Sequence, residues 1–280
     1  MPSIFDSEES KPVFIFVDGS YYIFYRYFSL MTWWKNAHPD ETLTDPFKNE
    51  VFVAKFRKTF AETLDKLPKN LGITKNVNPK LFVGKDCPRE KIWRMEIFKD
   101  YKANRKNGVE DGFMGGPFFK MAYEDALFKE GVVLKHATLE ADDCIATSVK
   151  YVLNMYPECE IYIIASDKDY LQLVGPRVKV FDLKYKNISE QKSSIGNTAK
   201  DLFCKIVMGD ISDNIPSVVK KCGPKTAIKC FENTSYFEER LNNENAHGLF
   251  ERNKILVDFN NIPEDLKISF IEKNILFTGV

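Results

Sequence analysis

The sequence predicts an α/β protein in which helices pack on both faces of a doubly wound, mostly parallel sheet. Short, nearly continuous runs of β-branched and apolar residues are typical of strands that are buried on both faces. Helical patterns lie between several of these runs, and such alternation is typical of a doubly wound sheet. The predicted strands are residues 14–17, 81–83, 132–135, 161–165 and 178–181.

Two stretches have apolar residues at helical spacing and recognisable ends. In residues 47–67 the apolar side chains recur along one helical face until Pro68, and Asp45 with Pro46 would form the N-cap and first turn. Residues 118–130 repeat the pattern and stop at Gly131.

Composition restricts the class of protein. The chain has 280 residues, of which 44% are hydrophobic and 29% charged, as in a globular protein with a sizeable core. No apolar run approaches the length of a membrane span, so we expect no membrane association. The six cysteines form no C-x-x-C pair, which favours reduced thiols in an intracellular protein of the cytoplasm or nucleus.

Positive charge is segregated, although the formal net charge is zero. A net charge of zero excludes a uniformly basic nucleic-acid binder, but it allows separate basic segments. Residues 85–106 carry eight bases against four acids, and residues 217–229 carry four lysines and no acid. Each segment alone is equally well explained as a solvated face.

Aspartates follow three of the predicted strands. Asp18 ends the first, Asp86 follows the second, and Asp167 and Asp169 follow the run at 161–165. The carboxyl ends of parallel strands line the ligand crevice of such sheets. A single aspartate there commonly starts a turn or caps a helix, but three sites at one edge indicate a binding site.

The stretch LEADD adds Glu140, Asp142 and Asp143 to the first turn of a helix predicted to begin near Ala141. Acids favour helix N-termini by about 0.3–1 kcal/mol each, which is the structural explanation for one or two of them. A larger cluster would have raised pKa values unless a cation compensated the charge. Oxygen-only clusters suit Mg²⁺ or Mn²⁺. Zinc is disfavoured, because the three histidines are scattered.

Another acidic pair, Asp210 and Asp213, follows a predicted helix at residues 199–208. Pro216, Gly223 and Pro224 predict a turn before a second helix that begins near residue 225. A helix–turn–helix with a capping aspartate explains the turn structurally. Its amides and the neighbouring lysines could also bind the phosphate backbone of a nucleic acid without recognising its base sequence.

These segments resemble, in order, the motifs of the 5′-nuclease family. That family includes flap endonucleases, phage 5′-3′ exonucleases and RNase H enzymes, and the nuclease part of bacterial DNA polymerase I. The motifs are FVDGS, GKD with YKANRK, LEADD, ASDKDYLQL and GDISDNIPSV…GPKTA, between about Val13 and Phe231. The D-D form of LEADD resembles the bacterial, phage and viral branch, and a viral origin is left open.

The resemblance implies a two-metal site and a set of DNA contacts. Asp18, Asp86, Glu140, Asp142 and Asp143 would hold the first ion, and Asp167, Asp169, Asp210 and Asp213 the second. Asp86 lies two residues beyond the usual strand-end position, so the GKD turn must fold it back. Asp142, Lys102 and Arg105 are the predicted catalytic residues. The predicted DNA-binding residues are Tyr25, Arg26, Arg94, Tyr101, Lys102, Arg105, Lys106, Lys220, Lys221, Gly223, Lys225 and Thr226. Phe24 stands where many relatives have a tyrosine.

The resemblance implies a PIN-like core with a helical arch and a C-terminal helix–three-turn–helix. We expect a nuclease core at residues 1–195, with an arch region at 87–117 that includes the glycine-rich stretch NGVEDGFMGGP. Residues 196–280 would form the duplex-binding and C-terminal helical region, and the two parts would pack as one compact unit.

The implied function is a structure-specific 5′ nuclease of DNA replication and repair, with 5′-3′ exonuclease and 5′-flap endonuclease activity. The expected cofactors are two Mg²⁺ per active site, with Mn²⁺ as a substitute, and K⁺ at the helix–three-turn–helix. The expected partner is DNA with 5′ ends or flaps, bound by a monomer. Only two glutamines are present, so no Gln-led sliding-clamp motif is seen.

Three alternatives remain open from the sequence. The same site could remove RNA primers from an RNA–DNA hybrid, as RNase H does. A Mg²⁺-dependent phosphohydrolase of small substrates would also place aspartates at strand ends. A nucleic-acid-binding relative without catalysis would lack some of the acids, whereas every motif here retains them.

Overall fold

The computed structural model describes residues 11–105, 113–129, 131–191 and 196–275. All five predicted strands form, and they pair in parallel as one sheet. The strands are β1 (Val13–Asp18), β2 (Lys80–Lys85), β3 (Val132–Lys135), β4 (Glu160–Ile164) and β5 (Val178–Phe181).

The strand order is β3-β2-β1-β4-β5, with β1 in the centre. The chain moves outward from β1 through β2 to β3, and then returns to the other side of β1 for β4 and β5. In register, Phe16 of β1 lies between Phe82 and Ile163. The order therefore reverses between β1 and β4, and ligands of open α/β sheets bind at the carboxyl ends beside such a switch point.

Eleven α-helices occur in the described ranges. They are α1 (Gly19–Ala37), α2 (Glu50–Asp65), α3 (Leu67–Asn70), α4 (Arg94–Ile97), α5 (Gly116–Glu124), α6 (Ala141–Met155), α7 (Thr198–Met208), α8 (Pro224–Glu232), α9 (Thr234–Glu244), α10 (His247–Val257) and α11 (Glu264–Asn274). Short 3₁₀ segments occur at Arg89–Lys91, Lys168–Leu173, Ile188–Glu190 and Phe259–Asn261. None of the helices in the described part of the chain is both long and apolar enough to span a bilayer.

The helix starts differ in how well local sequence predicts them. Helix α6 begins at Ala141, as predicted. The predicted start of α2 at Asp45 and Pro46 is wrong, because the cap is Asn49, whose side chain accepts a hydrogen bond from the Phe52 amide at 2.9 Å. Asp45 instead accepts from the Phe47 amide in a separate turn.

Alternate residues of β1 enter two different cores. Phe14 and Phe16 pack with α6 and the C-terminal helices on one face of the sheet. Ile15 and Val17 pack with α1, α2 and α5 on the other face. Because helices cover both faces, the doubly wound fold is confirmed.

Two smaller apolar clusters involve the C-terminal helices. One contains Tyr101, Ile206 and Ile215, and the other lies among α7, α8 and α9. Gly209 ends α7 with a φ of +72°, and a Cβ there would lie 2.3 Å from the Ile215 carbonyl oxygen, so only glycine fits. All six cysteines are free thiols, and five of them are buried.

We expect Gly84→Ala to destabilise the fold where β2 meets α6. A Cβ at Gly84 would lie 2.8 Å from the Ala141 carbonyl oxygen, so α6 must shift at a cost of about 1–3 kcal/mol. Urea denaturation measures the loss. Gly116→Ala is the matched control, because nothing lies within 4 Å of its Cβ position. Equal stability of the two variants would contradict this packing constraint.

Candidate active site

A cleft of about 330 Å³ opens at the carboxyl edge of the sheet, beside the switch point between β1 and β4. Carboxylates from four separate segments line it: the end of β1, the turn after β2, the start of α6 and the turn after β4. These residues are Asp18, Asp86, Glu140, Asp142 and Asp167, and Lys102 and Arg105 lie across from them. The fold thus brings together acids that are far apart in sequence.

The aspartates after β1 and β2 are held by neutral donors. Asp18 accepts hydrogen bonds from the Tyr21 amide at 2.9 Å and from the Tyr170 hydroxyl at 3.0 Å. Asp86 accepts from the Ser20 hydroxyl at 2.5 Å and from the Ala141 amide at 2.8 Å. The turn after β2 therefore folds Asp86 back toward the start of α6, as its predicted role requires.

Asp143 lies beneath the cleft and not in it. One carboxylate oxygen each of Glu140, Asp142 and Asp143 lie within 4.8 Å of one another. Both oxygens of Asp143, however, accept from Arg94 at 2.7 Å, and Trp93 donates to one of them at 2.9 Å. Asp143 is fully buried in these contacts, and its role as a metal ligand stays a prediction.

Two of the predicted DNA-binding residues are also buried. Arg94 is 2% exposed and pairs with Asp143 and, at 3.1 Å, with Glu140. Tyr101 is 3% exposed, and its hydroxyl donates to Glu140 at 3.0 Å and to Asp213 at 3.1 Å. Neither side chain reaches the surface. Each one instead donates hydrogen bonds to buried carboxylates.

The segment that contains Lys102 and Arg105 is clamped onto the turn after α7. The Lys102 amide donates to the Asp213 carbonyl at 2.8 Å, and Arg105 donates to the Ser212 carbonyl at 3.1 Å. Asn214 donates back to the Asp100 carbonyl at 2.8 Å. These bonds place the Lys102 ammonium against Glu140 and 3.8 Å from Asp213.

A second group of acids surrounds Lys205 of α7. Its ammonium lies 3.0 Å from Asp210 and 4.0 Å from Asp167, and it forms a still closer ion pair with Asp169. Burial opposes the ionisation of Asp210, but Lys205 and Ser212 outweigh it and lower its pKa to about 2. Asp213 instead pairs with Arg105 and Tyr101.

Several of these carboxylates have raised pKa values. Burial and the nearby Asp86 raise the pKa of Asp18 to about 7. Burial raises the pKa of Asp142 well above its usual range, and Asp143 and Glu140 add to the effect. Burial raises the pKa of Asp169 to about 6 against the opposing effect of Lys205. Such incompletely compensated oxygen donors fit a hard divalent cation, which would favour the ionised forms.

The predicted DNA contacts in the turn before α8 and in the first turn of α8 lie on the surface. Lys220, Lys221, Gly223 and Lys225 are exposed, and Thr226 is partly exposed. On α1, Phe24 and Tyr21 line the carboxylate cleft, whereas Tyr25 packs beside Tyr21 with ring centroids 6.2 Å apart. Arg26 is partly buried. Lys106 and most of the predicted glycine-rich stretch, up to residue 112, lie outside the described residues.

Three residues at the site were missed by sequence reasoning. Ser20 and Tyr170 lie within the predicted motifs FVDGS and ASDKDYLQL, so their closeness in sequence to Asp18 and Asp169 was a usable signal. Lys205 had no local signal, since two of its three carboxylate partners lie more than 30 residues away.

Residues 13–200 match the family model described as "5′-3′ exonuclease, N-terminal resolvase-like domain". The chain belongs to the 5′-3′ exonuclease family. A 5′-3′ exonuclease of Bacillus subtilis (strain 168) is 31% identical over 189 residues, which cover 65% of this chain and 62% of that relative.

Two solved structures share the fold of this family member. The bacteriophage T5 D15 protein co-crystallised with metal ions superposes with a TM-score of 0.66 at 18% identity, and the match covers 93% of this chain and 97% of that one. A complex of the T5 flap endonuclease with DNA and metal ions gives a TM-score of 0.65 at the same identity and coverage. The likeness confirms the predicted fold class.

We expect Asp18→Asn to stabilise the metal-free protein at high pH. The folded state binds a proton at Asp18 up to about pH 7, whereas the unfolded state releases it near pH 4, so stability falls as pH rises between these values. Asparagine removes this loss, and we expect a gain of about 1–3 kcal/mol at pH 8 that disappears near pH 4.

Urea denaturation in EDTA at the two pH values measures the difference. Asp40→Asn provides the control, because it makes the same substitution at an exposed position outside the cleft. In excess Mg²⁺ at pH 8, the native protein should instead be more stable to urea than the Asp18 variant. Lower stability of the Asp18 variant than of the native protein at pH 8 in EDTA would contradict the raised pKa.

We expect Arg94→Gln to destabilise the fold by about 3–5 kcal/mol, because Asp143 would be left buried and charged. Thermal and urea unfolding measure the loss. Arg57→Gln breaks an exposed ion pair with Asp125 and should cost about 1 kcal/mol or less. If Arg94 acted in DNA binding, its loss would instead raise the Kd for DNA without lowering the free energy of unfolding.

Proposed function

We propose that this protein is a structure-specific 5′ nuclease that hydrolyses DNA phosphodiesters. It would act as a 5′-3′ exonuclease and 5′-flap endonuclease in DNA replication and repair. The observation that carries the proposal is the convergence of acids from β1, β2, β4, α6 and the turn after α7, with Lys102 and Arg105 facing them.

Two groups of carboxylates are available to hold divalent ions. Asp18, Asp86, Glu140 and Asp142 would hold the first ion, and Asp167, Asp169, Asp210 and Asp213 the second. Bound ions of this kind activate a water molecule and stabilise the charge on the leaving oxygen. Oxygen-only donors favour Mg²⁺, with Mn²⁺ as a substitute. A K⁺ ion at the turn before α8 is part of the same proposal.

The chain's own cations would bind the scissile phosphate. The Lys102 side chain is 12% exposed and its ammonium faces Glu140 and Asp213, so it is held at the cleft before substrate arrives. Arg105 is held against Asp213 and is more exposed. Preorganised cations at this position would offset negative charge that develops in the transition state. Tyr170 and Ser20 would orient Asp18 and Asp86.

Duplex binding would occur at the turn before α8. The exposed Lys220, Lys221 and Lys225 with the amide of Gly223 suit the phosphate backbone, which carries no sequence information. In this division of roles, residues 1–195 form the nuclease core, and residues 196–280 bind the duplex and add Asp210 and Asp213 to the second metal site, within one compact monomer. The substrates would be DNAs with 5′ ends or 5′ flaps.

We expect Mg²⁺-dependent release of a 5′-labelled single strand from a duplex with a 5′ flap. No release should occur with EDTA or from a 3′-flap duplex. Asp142→Ala should lower the single-turnover rate at least about 10²-fold while largely preserving the Kd for DNA, because a metal ligand is lost and the basic surface is not.

Asp40→Ala is the matched control, since it removes an acid on the surface. A second substrate with an RNA 5′ strand measures primer removal by the same site. Cleavage of the 3′ flap, or equal loss of binding and cleavage in the Asp142 variant, would contradict the proposal.

A further inference from the structure

The ammonium of Lys205 occupies the centre of the second carboxylate group. It contacts Asp167, Asp169 and Asp210, which come from two separate segments of the chain. Its side chain is only 19% exposed, and those of Asp169 and Asp210 are 12% and 20% exposed. Lys205, Asp169 and Asp210 therefore form a mostly buried ion cluster, and Asp167, whose side chain is 55% exposed, lies at its edge, 4.0 Å from the ammonium.

A divalent ion bound by these three acids would need nearly the same position. Each acid directs one oxygen at the ammonium: Oδ1 of Asp167, Oδ1 of Asp169 and Oδ2 of Asp210. An ammonium and a divalent ion cannot share those oxygens, because they repel each other and compete for the same lone pairs. Binding of the ion must displace Lys205.

A cleft beside Lys205 leaves room for the displaced side chain. The cleft has a volume of about 730 Å³, is lined by Lys205, and lies between the Lys168–Leu173 segment, α7 and the first residues of α8. Gly223 at the start of α8 borders this cleft and belongs to the proposed duplex-binding turn. A DNA phosphate in the cleft would be a new partner for the displaced ammonium.

We propose that Lys205 is an internal counter-ion that competes with the second divalent ion and couples its binding to that of DNA. The inference rests on the proposed function. A phosphate that attracts Lys205 frees the carboxylates for the ion, and an ion that displaces Lys205 frees the ammonium for the phosphate. By linkage, each ligand raises the affinity of the other by the same factor.

The test measures metal binding, not cleavage. Mn²⁺ is titrated into the native protein and into Lys205→Met, and electron paramagnetic resonance measures the free Mn²⁺. Each titration is made with and without a phosphorothioate duplex that resists cleavage. Without DNA, the variant should bind the second Mn²⁺ about tenfold or more tightly than the native protein. The duplex should tighten this site in the native protein and leave it nearly unchanged in the variant.

Lys200→Met is the matched control, because Lys200 lies on the same helix and pairs with Glu232, away from the acids around Lys205. Lys205→Arg retains the charge and should keep the weak binding without DNA. Circular dichroism checks that each variant is folded. The coupling in the native protein is measured without any substitution, so the proposal stays testable if a variant unfolds.

The outcomes separate this inference from the proposed function. Two Mn²⁺ sites with the same or weaker affinity in Lys205→Met would overturn the competition but leave the nuclease proposal standing. An absence of coupling between duplex and Mn²⁺ in the native protein would do the same. Failure of every variant to bind Mn²⁺ would overturn both.

Discussion

Repulsion among carboxylates at the carboxyl edge of the sheet is the constraint on which the site depends. Parallel strands bring their carboxyl ends to one edge, so the acids after β1, β2 and β4 approach one another whatever their charge. Three largely buried cations compensate different parts of this charge. Arg94 forms ion pairs with Asp143 and Glu140, and Lys102 lies between Glu140 and Asp213. Lys205 forms ion pairs with the second group of acids, which includes Asp210. Asp18 accepts hydrogen bonds from neutral donors, and burial together with the nearby Asp86 raises its pKa to about 7.

Hydrogen bonds between residues 100–105 and the turn after α7 couple the position of the cleft to that of this turn. Backbone and side-chain bonds cross between the two segments in both directions. Lys102 adopts a φ of +57°, an unfavourable value for a residue with a Cβ, and the bond from its amide to Asp213 helps to hold it there. A shift of the turn would therefore move the Lys102 ammonium as well.

The strands and the main acidic motifs could be predicted because their signals are local. A buried parallel strand needs a continuous apolar run, and the start of α6 needs only helical spacing after an acidic cap. Local signals also mislead. Asp45 with Pro46 resembles a helix start, but Asn49 is the cap. Arg94 lies in a basic run that resembles a solvated or DNA-binding face, yet its partner Asp143 is 49 residues away.

The sequence by itself determined the strands, the residues that carry charge and the family motifs, because each depends on side chains close together in the chain. Only the tertiary structure decided what each charged residue does. It buried Asp143 and Arg94 as a pair, turned Asp86 back to the start of α6, and placed Lys205 among the acids of the second group. Charges interact strongly at distances of a few ångströms regardless of their separation in sequence, so the role of each is set by the packing that brings its partners together.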